Sequence, residues 1–250
     1  MSTPTTSEYL IENAKKYADK SALSSKDNSG NWDTTTWSEF YNDTMDVAKS
    51  LMALGFQKND KLSIYSYNRK EWYVAYAAAN FCNGAGVGVY HTCSPEEVEW
   101  VVGNSDSKFV FVGHNPMDGG DTGKMCSHRL HKILDSLDKV EHVVVMEGVD
   151  MPKHDKVISW SDFISKGKDT DESKIHNSIK SIKPEDTATL IYTSGTTGNP
   201  KGVELTYDNF EYEISKVLEI QSYNQGDKYV SWLPCAHVFG QLVDNHAWIR

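Results

Sequence analysis

The sequence lacks several features that would assign it to a specialised class of protein. Its four cysteines show no C-x-x-C spacing and no tight spacing to histidine, which argues against a zinc site and suits a reducing compartment. The start of the chain has neither a basic segment nor an apolar core, so no signal peptide is predicted. The longest apolar stretch, Trp72 to Ala79, is too short to cross a membrane, and no internal repeat is present.

What the sequence contains is typical of a folded globular protein. A chain of 250 residues with 39% hydrophobic residues can bury a core, and its length suggests one or two domains. The net charge of −10 argues against a nucleic-acid partner, because no basic patch offsets it. We therefore expect a cytoplasmic protein, and peripheral association with intracellular membranes stays open.

Strand and helix patterns alternate along most of the chain. This alternation predicts an α/β fold with mostly parallel sheets and flanking helices. Helices are expected at 7–20, 37–54, 68–80, 124–137 and 207–220, and strands at 62–67, 84–90, 108–112, 142–146 and 229–233. A division into residues 1–70 with 222–250, and 71–221, is also expected, and the polar stretch 166–174 is the best linker candidate. Capping boxes are predicted at Thr36 with Glu39 and at Ser94 with Glu97.

One stretch concentrates small hydrogen-bond donors beside a single cation. It runs from Tyr192 to Lys201 between two β-favouring segments, and Gly202 follows it. Its glycines can adopt backbone dihedral angles that other residues cannot, its hydroxyls are hydrogen-bond donors, and its lysine is a compact positive charge. This combination predicts a loop that binds a polyphosphate. The candidate nucleotide-binding residues are Tyr192, Thr193, Ser194, Gly195, Thr196, Thr197, Gly198, Asn199, Pro200 and Lys201.

This stretch does not have the spacing of the common nucleotide-binding loop. That loop requires G-x-x-x-x-G-K-[ST], whereas here Pro200 stands at the second glycine and Gly202 follows Lys201. The lysine also precedes a predicted strand, so a helix dipole is not the main attraction for phosphate. The competing interpretation is a plain hairpin turn, but turn chemistry alone does not ask for four hydroxyls and a lysine.

A second group of candidate residues lies within 231–240, where a predicted strand ends at a proline and a helix starts. Such an edge places side chains above the carboxyl end of a sheet, where α/β proteins bind ligands. Trp232 and His237 are predicted to face this crevice, and Gly240 to leave room for a substrate. Without that context, a histidine in such a position is more often a core residue whose ring nitrogens are hydrogen-bonded, and this interpretation also applies to His237.

Both stretches resemble motifs of one superfamily. The residues from Tyr192 to Gly202 resemble the AMP-binding signature of adenylate-forming enzymes, which include acyl-CoA synthetases, luciferases and peptide synthetases. The downstream Leu-Pro-x-x-His-x-x-Gly pattern at 233–240 is similar to a second motif of that superfamily. Residues 37–41, 54–56, 68–72 and 88–96 resemble the long-chain acyl-CoA synthetase branch, and the Val-Tyr-x-Thr-x-Ser-Pro-Glu pattern at 89–96 is most similar to its bubblegum-type members. The resemblance covers residues 8–250, the N-terminal part of the family's large domain.

The resemblance implies roles for residues and substrates. Thr193 to Lys201 would hold the β- and γ-phosphates of ATP and help orient the α-phosphate, and His237 would sit where the acyl pocket meets the adenylate. Lys201 and His237 are therefore the candidate catalytic residues. A fatty acid, ATP with Mg²⁺, and coenzyme A would be the substrates and cofactors.

The family's later elements are not found in these residues. They include the adenine-binding segment with its magnesium-binding acid, the ribose-binding aspartate and the small C-terminal domain. The chain also ends at Arg250 inside an apolar pattern, which predicts that a C-terminal part of the same protein is missing. We expect the 250-residue chain alone to make no acyl-CoA, and we assign it no metal ligand.

Two alternatives remain open at this point. An aryl- or amino-acid-activating ligase of the same superfamily would share the phosphate loop. A non-catalytic nucleotide-binding module would use the loop without the chemistry that follows.

Overall fold

The computed structural model describes residues 4–26, 29–114, 125–193, 198–220 and 224–250. The helices are α1 Thr6–Lys16, α2 Trp37–Ala53, α3 Lys70–Phe81, α4 Pro95–Asn104, α5 Cys126–His131, α6 Trp160–Lys166, α7 Glu172–Lys180, α8 Tyr207–Ile220 and α9 Val238–Gln241. The strands are β1 Ser21–Lys26, β2 Trp32–Thr36, β3 Lys61–Tyr65, β4 Ala85–Val89, β5 Ser107–Val112, β6 His142–Val145, β7 Val157–Ser159, β8 Thr187–Thr193 and β9 Lys201–Thr206. A 3₁₀ turn at Leu134–Ser136 and a π-helix at Leu242–Ala247 complete the secondary structure of these ranges.

A seven-stranded sheet in the order β7-β6-β5-β3-β4-β8-β9 forms the centre of the molecule. Its strands are parallel except for β9, which pairs antiparallel with β8. β1 and β2 form a separate antiparallel hairpin. The predicted α/β class, with a mostly parallel sheet and flanking helices, is confirmed.

Helices cover both faces of this sheet. On β5, Phe109 and Phe111 join the core beneath α2 and α3, whereas Val110 and Val112 join the core beneath α4 and α5. Because successive strand residues point to opposite faces, this division shows that β5 is buried on both sides. Its continuous run of apolar residues follows from that position.

Capping boxes start three of the helices. The predicted pairs, Thr36 with Glu39 and Ser94 with Glu97, both form, and an analogous pair starts α1 at Thr5. In each box, a side-chain hydroxyl and a carboxylate satisfy backbone N–H groups that lack helical partners. The local sequence therefore sets where these helices begin.

Three expectations about local structure are wrong. Residues 229–233 form no strand, because no described strand lies beside them and Val230 and Trp232 are 80% and 77% exposed. The helix expected at 124–137 is broken: α5 ends at His131 and a 3₁₀ turn follows, while residue 124 lies outside the described residues. The expected linker at 166–174 packs on α2, where Thr170 donates to the Lys49 carbonyl at 3.2 Å.

The predicted division of the chain at residue 70 stays a prediction. β3 and β4, which lie on either side of that residue, are neighbours in the same sheet. None of the described helices is both long and apolar enough to span a membrane.

Candidate functional site

The predicted phosphate loop lies between β8 and β9. β8 runs beside β4 in the parallel part of the sheet, and β9 returns along it, with Thr193 opposite Lys201. The loop therefore leaves the sheet at the edge where the parallel strands end. Of the predicted ligands, Ser194, Gly195, Thr196 and Thr197 lie outside the described residues.

Thr193 and Lys201 share one face of the hairpin. Directly opposed residues of an antiparallel pair point to the same side, and both residues are exposed. No hydrogen bond or ion pair within the described parts of the chain engages the Lys201 ammonium group. Gly198 has φ +83°, a left-handed conformation that favours glycine, while Asn199 and Pro200 complete the turn into β9. A hydroxyl and a cation that has no partner among the described residues thus lie on the same face at the base of the loop.

Tyr192 points to the opposite face of the hairpin. Its hydroxyl donates to Asn104 Oδ1 at 2.7 Å, and burial raises the pKa of this hydroxyl to about 12. A Cβ on Gly202, its partner across the ladder, would lie 2.9 Å from the Tyr192 ring. The side chain of Tyr192, predicted as a nucleotide ligand, is therefore engaged with α4 and β9.

The second predicted group of residues lies near the carboxyl ends of β3 and β4. Asn68, which follows β3, donates to the Leu233 carbonyl at 2.7 Å and accepts from the Cys235 N–H at 2.9 Å. Gly88 of β4 packs against Ala236, because a Cβ on Gly88 would lie 2.6 Å from the Ala236 Cα. Asn68 is a positioning residue that no motif reasoning assigned. The paired use of its amide oxygen and nitrogen is visible only in the structure.

His237 starts the short helix α9. Its Nδ1 accepts from the Phe239 N–H at 3.1 Å, so the neutral imidazole carries its proton on Nε2. The side chain is exposed, and in this tautomer Nε2 is the hydrogen-bond donor. His237 is thus held in one tautomer by its own helix.

The other two predicted pocket residues differ in their surroundings. Trp232 is 77% exposed. Gly240 is buried, and a Cβ there would lie 2.6 Å from the Pro234 carbonyl oxygen. The turn itself therefore requires glycine at this position.

A partly buried hydrogen-bond network anchors the start of this segment. Tyr73 OH lies 2.9 Å from Ser231 Oγ, which in turn hydrogen-bonds the Asp244 carboxylate. Burial raises the pKa of Asp244, although the bond from Ser231 opposes that shift. These three residues are spread over more than 150 positions, so no local pattern could have grouped them.

The carboxyl ends of β3, β4 and β8 bring both groups to one edge of the sheet. Such edges are where ligands bind in open α/β proteins. Within the described residues, no group of three acidic, histidine or cysteine side chains is arranged to hold a metal ion. The edge offers a cation, hydroxyls and backbone groups, which suit an anionic ligand.

Replacing Gly88 with alanine is expected to lower the free energy of unfolding by about 1–3 kcal/mol, because the added methyl meets backbone atoms of Ala236. Urea denaturation of the chain would measure the change. Gly103→Ala is the matched control: no atom lies within 4 Å of its Cβ position, so this helix substitution should be neutral or stabilising. Equal midpoints for the two variants would contradict the close approach of Gly88 and Ala236.

Comparison with protein families gives a match over most of the chain. The family model described as AMP-binding enzyme matches residues 10–250. The long-chain-fatty-acid–CoA ligase ACSBG2 of Gallus gallus is 32% identical over 247 residues, covering 96% of this chain and 31% of the relative. ACSBG1 of Bos taurus is 29% identical over 233 residues, covering 92% of this chain and 31% of the relative. The chain thus spans about a third of the length of these curated relatives.

Solved structures share the fold. A protein from Rhodopseudomonas palustris, provisionally assigned as a long-chain-fatty-acid CoA ligase, superposes with a TM-score of 0.77 at 18% identity. That match covers 98% of this chain and 55% of the other. The o-succinylbenzoate CoA synthetase of Bacillus subtilis gives a TM-score of 0.70 at 21% identity, covering 99% of this chain and 42% of the other. At these identities the likeness establishes the fold alone.

Proposed function

The chain belongs to the family of AMP-binding enzymes, and on that premise we propose that the complete protein is an AMP-forming long-chain fatty acid–CoA ligase. The observation that carries this proposal is the face of the β8–β9 hairpin on which Thr193 and Lys201 lie together. The Lys201 ammonium group has no partner among the described residues, and a phosphate group is the partner that its charge suits. The similarity to long-chain ligases supports the choice of a fatty acid.

The proposed reaction has two steps. A carboxylate oxygen of the fatty acid attacks the α-phosphorus of ATP, the bond to the bridging oxygen breaks, and pyrophosphate leaves. The thiolate of coenzyme A then attacks the acyl carbonyl carbon, and AMP leaves. Neither step needs a nucleophile from the protein, so catalysis rests on positioning and on neutralising charge.

Residues of this chain would act on the first step. Lys201 would hold phosphate oxygens and balance the charge that develops on pyrophosphate as it leaves. Thr193 would donate a hydroxyl hydrogen bond beside it. His237, held with its proton on Nε2, would donate towards an oxygen where the carboxylate meets the α-phosphate.

Mg²⁺ is part of the proposal and would offset the charge of the phosphate oxygens. The described residues contain no group of three side chains suited to hold it, so none is assigned to this ion. The rest of the same protein would supply that ligand together with the adenine and ribose contacts. The cytoplasmic location and a peripheral membrane association stay predictions from the sequence.

The test is a substrate comparison on the complete protein. With MgATP, coenzyme A and palmitate, we expect equal amounts of AMP and palmitoyl-CoA. Benzoate and a mixture of amino acids would serve as alternative acceptors, because their activation would indicate an aryl- or amino-acid-activating ligase. ATP binding without pyrophosphate release for any acid would indicate a non-catalytic module instead.

The 250-residue chain forms a separate arm of the same experiment. We expect it to release no pyrophosphate from MgATP and palmitate, because the adenine and ribose contacts of the family are not assigned to any of its residues. Detectable pyrophosphate release by the purified chain would contradict this part of the proposal.

A further inference from the structure

Helix α4 lies against both arms of the β8–β9 hairpin. The helix starts at a capping box formed by Ser94 and Glu97, and its buried valines fix it on the sheet. Trp100 and Asn104 are four residues apart, so their side chains lie on one face of the helix, one turn apart. That face meets the hairpin.

Each of these two side chains makes one hydrogen bond to the hairpin. The Trp100 indole N–H donates to the Pro200 carbonyl at 2.8 Å, on the arm that enters β9. Asn104 Oδ1 accepts from the Tyr192 hydroxyl at 2.7 Å, on the arm that leaves β8. The Tyr192 ring also lies over Gly202, where a Cβ would come within 2.9 Å of it. One helix face therefore holds both arms.

The two anchor points are the immediate neighbours of the exposed pair. Pro200 directly precedes Lys201, and Tyr192 directly precedes Thr193. Among the described strands, β9 lies at the edge of the sheet and pairs with β8 alone. An edge strand is hydrogen-bonded to a neighbour on one side only. The hydrogen bond from Trp100 of α4 to Pro200 therefore further restricts the position of Lys201.

We propose that Trp100 and Asn104 are positioning residues for the polyphosphate of ATP, acting through Pro200 and Tyr192. The proposal rests on the proposed function of the same hairpin. Neither residue touches the nucleotide in this scheme: each fixes the backbone that presents Lys201 or Thr193. The expected signature is weaker use of ATP with unchanged use of the other two substrates.

The test uses substitutions in the complete protein that each remove one hydrogen-bond donor. Trp100→Phe removes the indole N–H, and Tyr192→Phe removes the hydroxyl that Asn104 accepts. For each variant we expect the KM for ATP to rise about 2- to 5-fold, the lower part of the range for one hydrogen bond, because both bonds are partly exposed to solvent. The KM values for palmitate and coenzyme A should stay at the wild-type level.

The second bond is tested by a double-mutant cycle. Tyr192→Phe and Asn104→Ala delete opposite ends of one contact, so the double variant should raise the KM for ATP no further than either single change. Additive effects of the two changes would show that the two side chains act independently and would overturn their part of the proposal.

A matched control separates positioning from folding. Trp32, on the β1–β2 hairpin, is 67% exposed, and Trp32→Phe should leave all three KM values and the thermal midpoint unchanged. Trp100→Phe should likewise keep the wild-type midpoint. A lower midpoint with a lower kcat and an unchanged KM for ATP would show a purely structural role and overturn the proposal.

Failure of the proposed function would look different. In that case the wild type itself would show no ATP-dependent ligation, and this result would also refute the positioning role of Trp100 and Asn104. An active wild type that loses affinity for ATP on Lys201→Ala but not on Trp100→Phe would retain the function and refute the role of Trp100.

Discussion

Replacing Lys201 with alanine is expected to raise the KM for ATP of the complete protein about 10- to 150-fold, the range for losing a hydrogen bond to a charged group. The ammonium group lies on the exposed face of the β8–β9 hairpin with no partner among the described residues. Its loss would therefore leave phosphate oxygens without their cation, and it would break no described contact of the folded protein. Steady-state kinetics with varied ATP would measure the effect.

Two further variants show whether charge or shape matters at this position. Lys201→Arg keeps the charge but replaces a compact ammonium with a planar guanidinium, so we expect partial activity. Lys168→Ala removes an exposed lysine from the connection between α6 and α7, and it should leave the KM for ATP unchanged. If Lys168→Ala and Lys201→Ala changed the KM for ATP similarly, the loss of one positive charge would explain both effects. That result would contradict the role of Lys201 in binding phosphate.

The stability of the chain is expected to fall as the pH drops below 6.5, because His246 is buried in its neutral form. Its Nδ1 lies 2.7 Å from Thr6 Oγ1 and its Nε2 lies 2.9 Å from the Tyr76 hydroxyl. The ring stacks on Phe210 with centroids 4.0 Å apart. Burial lowers the pKa of His246 from 6.5 to about 3. This histidine joins α1, α3 and α8, and within the described residues no carboxylate contacts it to offset a positive charge.

The direction of this pH effect follows from how strongly the folded and the unfolded states bind a proton on His246. A histidine whose folded pKa is depressed binds its proton more readily when unfolded, so its contribution is fully present above pH 6.5. That contribution is lost as the pH falls from 6.5 towards 3. One pKa unit corresponds to about 1.4 kcal/mol, so we expect about 2 kcal/mol to be lost between pH 6.5 and pH 5.

The measurement is urea denaturation at pH 7 and pH 5 for the wild type and for His246→Gln. Burial raises the pKa values of Asp244 and Glu211, which work in the opposite direction, so the difference between the two proteins isolates His246. The variant should be less stable at pH 7 but should lose less stability on acidification. His176→Gln, on α7, is the control and should follow the wild type. Identical pH dependence of the wild type and His246→Gln would refute the assignment.

Much of the fold could be read from local patterns. The capping boxes at Thr36 and Ser94 and the apolar runs of β5 and β6 were predictable, because helix starts and buried strands depend on a few neighbouring residues. Residues 229–233 show the limit of this reasoning. An apolar run forms a strand only if another strand supplies hydrogen-bond partners for its backbone, and no described strand does so here.

The candidate site divides in the same way. The sequence by itself determined the chemistry of the phosphate loop, because glycines, hydroxyls and one lysine in that order carry their properties wherever the chain folds. It also determined the order of the motifs at 192–202 and 233–240 and the number of residues between them. Which side chains are free for a ligand was not determined, because that depends on what packs against each face of the hairpin.

The tertiary structure decided those orientations. Tyr192 and Thr193 are adjacent in sequence, yet α4 engages one while the other stays exposed, since successive strand residues point to opposite faces. Asn68, Trp100 and His246 contact partners that are more than 90 positions away in the chain. Such contacts arise only when the sheet brings distant segments together, so the lysine could be recognised from its motif and the residues that position it could not.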